Sequence, residues 1–342
     1  MVKESSYYPL LIKLVKYPRL PSYLVILMIA IIMLLVLILA AYLDGIFTRL
    51  LEWSLWRNFL DAPVLIIYIL IMYPFIWRLW RRSLQALRLL LPIDEGISNQ
   101  SEIEVPIPNR RWEWVAILIG VVFWLSLWQP WGWNDRWEPG AIWLPAYEVV
   151  TQTTLFGLIS LLIYSSFTGN WYLNRLIRQH VKPDIFNTGM LTPVASSSLG
   201  FSIACIGGIS LSLAFQTQED LLMWKNIIVW VILVCFAVLI FFLSMWSTHC
   251  TITKVKSHEL NLVQKYLNTA SHELKERAED SSLTGKDELS STITAWLNYE
   301  RRIKEVPEWP YNASIIRRLA ASTVVPAIVY LLKIFSGLGL PF

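Results

Sequence analysis

Residues 22–43 read SYLVILMIAIIMLLVLILAAYL, a run of 22 positions with no charged side chain. About 20 apolar residues wound as a helix match the hydrocarbon thickness of a bilayer. In lipid only a helix or a closed barrel satisfies its own backbone. The run is too long for the apolar region of a signal peptide and no convincing cleavage site follows, so it reads as a retained first span. Six more segments share its character: 60–77, 114–131, 147–168, 199–216, 226–247 and 316–336. The expected fold is all-α, a polytopic membrane helical bundle with seven transmembrane helices and a cytoplasmic helical hairpin before the last span. Charged residues make up only 16% of the 342 positions, where a soluble domain carries roughly 25%. Mean hydropathy is +0.49. An ordinary soluble enzyme is not expected, and global disorder is excluded.

Sidedness follows from the basic residues, because Lys and Arg gather at the cytoplasmic ends of spans. With the N-terminus inside, the inner segments hold 24 of the 29 Lys and Arg. The outer ones hold Arg49, Arg57, Arg136 and Lys225, and Lys333 lies within the last span. The expected topology is therefore N-inside and C-outside. Residues 1–21 form a cytoplasmic N-terminus, 22–249 a six-span bundle, 250–312 the hairpin, and 313–342 the seventh span with an outer C-terminus.

Between spans, 44–60 has an apolar helical period and is expected along the outer interface. The stretch 92–111 carries Pro92, Pro106 and Pro108 and is expected to be irregular. Residues 131–143 form a Trp-rich turn at the headgroup level. In the hairpin, Leu260, Val263, Leu267 and Leu274 mark one helix. Leu289, Ile293, Trp296, Leu297 and Ile303 mark a second, with a break at 279–287. So short a segment rarely buries an adequate core unaided, which argues against a catalytic domain.

Gly200, Ala204, Gly208 and Ser212 recur every four residues and line one helical face, where small side chains let another helix approach. Close packing is the plain reading, and a pore-lining or hinge helix flexing at Gly207–Gly208 is the sharper one. Glu148, Thr151 and Gln152 share a face at the start of the fourth segment. Lys333 lies about 22 Å beyond Arg318 along the last span, at a depth similar to Glu148. Intramembrane charge is costly and faces a partner or water. Glu148 and Lys333 are expected to pair or to share an outer polar vestibule with Thr151 and Gln152; separate snorkelling to the interface is the alternative. Arg78, Arg81, Arg82, Gln85 and Arg88 form a basic stripe continuing out of the second span. Anionic inner-leaflet lipids attract each such residue by about 1 kcal/mol. An acidic protein partner is the alternative contact.

Pro74, Pro145 and Pro326 lie in or near spans and read as packing kinks. SHEL occurs at Ser257–Leu260 and again at Ser271–Leu274, but His258 and His272 stand about 21 Å apart on one helix and cannot share an ion. Cys205, Cys235 and Cys250 have no ligand or disulfide spacing. No Asp, Glu or His lies centrally in a span, and no nucleophile-elbow, P-loop or dinucleotide pattern occurs. Neither catalysis, metal nor cofactor is expected, and the net charge of +4 gives no reason to expect nucleic acid. The Asn99 and Asn312 sequons fall inside and are expected to be unmodified.

The run Ile303-Lys-Glu-Val-Pro-Glu-Trp-Pro-Tyr-Asn312, entering the last span through Ile316-Arg-Arg-Leu319, resembles a juxtamembrane segment of uncharacterised bacterial multi-pass membrane proteins. The resemblance covers about a tenth of the chain and implies a bacterial inner membrane. Physically, Pro307 and Pro310 stop the preceding helix, Trp309 sits at the interface, and Asn312 suits an N-cap, which makes the segment an elbow. At fold level the layout is also similar to insect chemoreceptor channels, and Tyr330–Phe335 is a loose echo of their last-span motif. Two roles remain open: a channel or transport protein gated through its cytoplasmic helices, or a non-transporting scaffold for a cytoplasmic protein partner. Either is compatible with a homo-oligomer.

Overall fold

A computed structural model describes residues 10–11, 21–47, 53–88, 110–128, 141–180, 192–216, 221, 223–279, 286–309 and 313–337. The long helices are α1 (Ser22–Leu43), α2 (Trp53–Arg88), α3 (Arg110–Trp128), α4 (Trp143–His180), α5 (Thr192–Phe215), α6 (Trp224–Glu279), α7 (Lys286–Glu305) and α8 (Ala313–Gly337). There is no strand among the described residues.

Six helices are long and apolar enough to cross a membrane: α1, α2, α4, α5, α6 and α8. The segment expected at 114–131 falls on α3, a helix of 19 residues that opens with two arginines and Glu113. Side chains that a water-facing protein would bury are exposed along these helices. They include Leu27, Ile31 and Leu35 on α1 and Ile328, Leu331 and Leu332 on α8. Apolar surface of this extent suits hydrocarbon, not water.

The helices reach further than the apolar segments do. α4 has 38 residues where the sequence suggests a span of 147–168. α6 has 56 and contains neither Gly nor Pro. The boundary expected at 249–250 is therefore absent from the backbone: the sixth expected span and the first hairpin helix are one helix. A change of polarity changes the solvent a helix meets but does not stop it; a cap, Gly or Pro does. Of the segments between helices, most of 1–21, positions 48–52, 89–109, 129–140 and 280–285 lie outside the described residues.

Side-chain contacts fix the relative directions. Ala116 and Gly120 of α3 meet Ser160 and Phe156 of α4 in turn, so the two helices are antiparallel. Tyr68, Leu79 and Ser83 of α2 meet Ala204, Gly200 and Pro193 of α5, again antiparallel. One end of the bundle thus carries Arg78–Arg82, the start of α3, Arg175, Lys254, Lys256 and Arg317–Arg318. This is the basic end. The opposite end carries Asp44, the start of α4, and Gln216.

α5 lies at the centre, packed against α2, α6 and α8, while α4 packs on α1, α2, α3 and α6. Small residues make both sets of contacts close. A methyl group at Gly200 would collide with Leu79, and one at Gly207 or Gly208 would meet the Tyr68 ring. The Tyr68 hydroxyl donates to the Ala204 carbonyl at 2.8 Å, and the Ser202 hydroxyl to that of Ala237 at 2.9 Å. In α3 a methyl at Gly120 would strike the Phe156 carbonyl, and Ser160 donates to Ala116 O at 2.6 Å. The largest buried cluster sits at the basic end, where Leu84, Leu87, Leu173, Leu199, Phe241, Met245 and Leu319 meet from five helices.

Candidate functional site

At the basic end a cleft of about 40 Å³ opens between α2, α4 and α5. α2 supplies Tyr73, Ile76, Trp77 and Trp80, one turn apart on a single face. α4 supplies Ser165, Ser166, Thr168, Gly169 and Asn170, and α5 adds Ser197 and Phe201. The Trp77 and Trp80 rings stack with centroids 4.9 Å apart. The Arg81 guanidinium lies 5.6 Å from the Trp77 ring centroid, within cation–π range. Trp80 is only 8% exposed and its indole nitrogen lies against Gly169, where an added methyl would stand 2.9 Å away.

The indole N–H groups of Trp77 and Trp80 are buried without a hydrogen-bond partner. A buried unsatisfied donor costs about 1–3 kcal/mol. Several nearby hydroxyls are already used by the helices that carry them: Ser165 donates to Leu162 O at 3.1 Å and Ser197 to Val194 O at 2.9 Å. Tyr73 also hydrogen-bonds Ser165 and lies within electrostatic reach of Glu113. Glu113 is buried on the packed stripe of α3, with Ala116, Gly120 and Trp124. Among the described residues, no carboxylate, imidazole or thiol lines the cleft. The arrangement suits binding and orientation.

A second cluster joins the arm formed by the outer half of α6 and α7 to the bundle. α7 lies on α6 with Tyr266 stacked on Trp296 at 5.0 Å and with Val263 and Ile303 buried between the helices. Lys256 of α6 is 8% exposed. Its ammonium donates to the carbonyls of Lys304 at 3.1 Å and Val306 at 2.9 Å, and pairs with Glu308 at 3.4 Å. A cation on the last carbonyls of a helix caps it and complements its dipole. Two helical turns before it, His249 stacks face to face on Trp309, 4.0 Å apart, with Nδ1 3.0 Å from the Glu308 carbonyl. Trp246 packs edge-on against the same Trp309 ring.

The residues singled out from the sequence fall as follows. Thr151 is buried and its hydroxyl donates to Tyr147 O and Glu148 O of its own helix, at 2.9 and 3.0 Å. Lys333 donates to Gln216 O at 2.6 Å, at the end of α5. Glu148 and Gln152 are half-buried on α4, and α8, which carries Lys333, packs on α5. Gly200, Ala204 and Gly208 face α2, and Ser212 is half-buried on the same helix. Arg78, Arg81, Arg82 and Gln85 are exposed, and Arg88 ends α2. In the elbow Pro307 is exposed and Trp309 is half-buried, while Pro310 and Asn312 lie outside the described residues. His258 and His272 are exposed, and His272 contacts Glu276 one turn on at 3.2 Å.

Lys256, His249, Glu113 and the paired indoles escaped the sequence reading. So did the α3–α4 seam of Ala116, Gly120, Gly157 and Ser160, although its four-residue spacing on α3 resembles the one recognised on α5.

The fold defines a class: a multi-pass helical bundle whose composition and length suit a membrane. No protein-family model, curated protein or solved structure matches the chain.

Proposed function

We propose that the protein is a seven-span integral membrane protein of a bacterial inner membrane, with its basic end inside, that holds the α6–α7 arm as a rigid scaffold for a cytoplasmic protein partner. The observation that carries this reading is the Lys256 clamp. It fixes the end of α7 and the elbow to a helix that is itself a span, so the arm keeps a set position on the bundle. α3 supports the count of seven, since it is about 28 Å long, runs antiparallel to α4, and exposes Leu118, Ile119 and Val122. The positive-inside bias supports the orientation. A channel with an outer vestibule at Glu148, Gln152 and Lys333 has less support, because Lys333 and Thr151 serve as helix-capping and back-bonding groups.

Two measurements on the full chain test the proposal. Cysteines placed at exposed Tyr266 and at exposed Tyr42 should react with an impermeant reagent from opposite sides of the membrane. Ion flux through reconstituted protein, abolished when α7 is removed from a bundle that still folds, would overturn the scaffold in favour of a gated channel. Absence of flux, together with a partner that cross-links to Leu297 in α7 and is lost on removing α7, is the expected result.

A further inference from the structure

We propose that the cleft between α2, α4 and α5 binds an anionic phospholipid, with the phosphate at the Arg81 rim and the glycerol ester region against Trp77 and Trp80. The site depends on the membrane placement of the bundle and not on the role of the arm. Position points to a lipid. Arg78, Arg81 and Arg82 alternate with Trp77 and Trp80 along α2, the pattern of a helix crossing the headgroup layer. Donor chemistry points to an acceptor-rich ligand. The two buried indole N–H groups lack acceptors, and ester and phosphate oxygens supply them. Gly169 lets the α4 backbone come close to the Trp80 indole nitrogen, where any side chain would collide with the ring.

Charge then sets the orientation. The Arg81 guanidinium, seated over Trp77, attracts an anion at the rim of the cleft. A zwitterionic headgroup brings its own cation to the phosphate and competes with the arginines, so the site discriminates by headgroup charge.

Native mass spectrometry of the full chain, titrated with equal amounts of phosphatidylglycerol and phosphatidylcholine, reads the discrimination directly. One phosphatidylglycerol should be retained about tenfold more tightly. Arg81→Gln should weaken it about fivefold, the share of one basic residue near an anionic surface. Trp80→Phe keeps an aromatic ring, removes the donor and should weaken retention of both lipids. Glycerol 3-phosphate at millimolar concentration should displace nothing. Equal retention of the two lipids, or an Arg81→Gln protein that binds like the wild type, overturns the site. Displacement by glycerol 3-phosphate overturns the lipid as the source and assigns the cleft to a soluble phosphate ester. Trp80 belongs to the buried core, so unfolding without added lipid is measured for each variant. Exposed Arg81 decides the matter if Trp80→Phe does not fold.

Discussion

Replacing Lys256 with Met keeps most of the aliphatic stem and deletes the ammonium. The three N–H donors of that ammonium now meet three acceptors: Lys304 O, Val306 O and Glu308 Oε1. Hydrogen bonds from a charged donor contribute about 1.5–3 kcal/mol each. The Glu308 pairing adds at most about 1 kcal/mol, since that carboxylate is 47% exposed. Deleting the ammonium also removes its desolvation cost, which offsets part of the loss. We expect the attachment of the elbow to weaken by about 2–4 kcal/mol, with the rest of the bundle unaffected. Amide exchange at the Val306 N–H, which donates to Ile303 O at 3.2 Å, should rise about 30-fold or more. Exchange in α5 should stay as it was. Lys256→Arg should fall between the two, because a planar fork does not reproduce three divergent donors. An unchanged exchange rate at Val306 in Lys256→Met, in a protein of normal thermal stability, would refute the clamp as the holder of the arm.

Other perturbations follow from contacts of known geometry. Asp44 accepts the Ile142 and Trp143 N–H on Oδ1, both at 3.1 Å, and the Leu144 N–H on Oδ2 at 2.7 Å, so a residue distant in sequence caps α4. Desolvation raises the Asp44 pKa, but the three backbone hydrogen bonds together outweigh it and hold it below the ordinary value. The cap therefore stabilises fully above the unfolded carboxylate range and is lost as pH falls through the lower, folded value; titrating thermal unfolding from pH 6 to 3 should show a step that Asp44→Asn flattens. Asp44→Ala should cost about 1–2 kcal/mol at neutral pH by denaturant unfolding in detergent. Gly120→Ala should destabilise by about 1–3 kcal/mol, because its methyl meets backbone. Gly157→Ala should be nearly neutral in the same assay, since its methyl meets the yielding Ile117 side chain at 3.2 Å and gains helix propensity; equal effects at the two glycines would contradict the packing described for α3 and α4. Lys333→Met should cost about 1–3 kcal/mol by releasing the end of α5, read by the same denaturant unfolding.

The spans were legible because a bilayer imposes length and apolarity locally, and α1 announces itself in a single uncharged run. The second helix of the arm was legible for a related reason: Ile293, Trp296 and Ile303 repeat with the period of a half-buried helix. The unbroken course of α6 was written in the sequence as an absence of Gly and Pro across 224–279, but the fall in hydropathy near residue 249 suggested a boundary that the backbone ignores. The stripe on α5 could be seen from one helix alone. Its partners Tyr68 and Leu79 could not, because they lie more than 100 residues away and no periodicity links them. Lys256 illustrates the same limit. Among many charges on a solvated-looking helix, nothing local distinguishes the one whose ammonium meets the end of α7. Glu113 was passed over as a first-turn acid although it continues the buried stripe of α3.

The continuity of α6 has a mechanical consequence. From Cys250 to Glu279 the helix extends roughly 45 Å beyond the turn that carries His249, with no joint between the arm and the span. A tilt of about 10° at the bundle would sweep the far end through about 8 Å at this length. Motion at the two ends is therefore a single degree of freedom. A protein that grips the tip of the arm also sets the angle at which α6 passes between α4 and α5, and a lipid that changes this angle moves whatever the tip is holding.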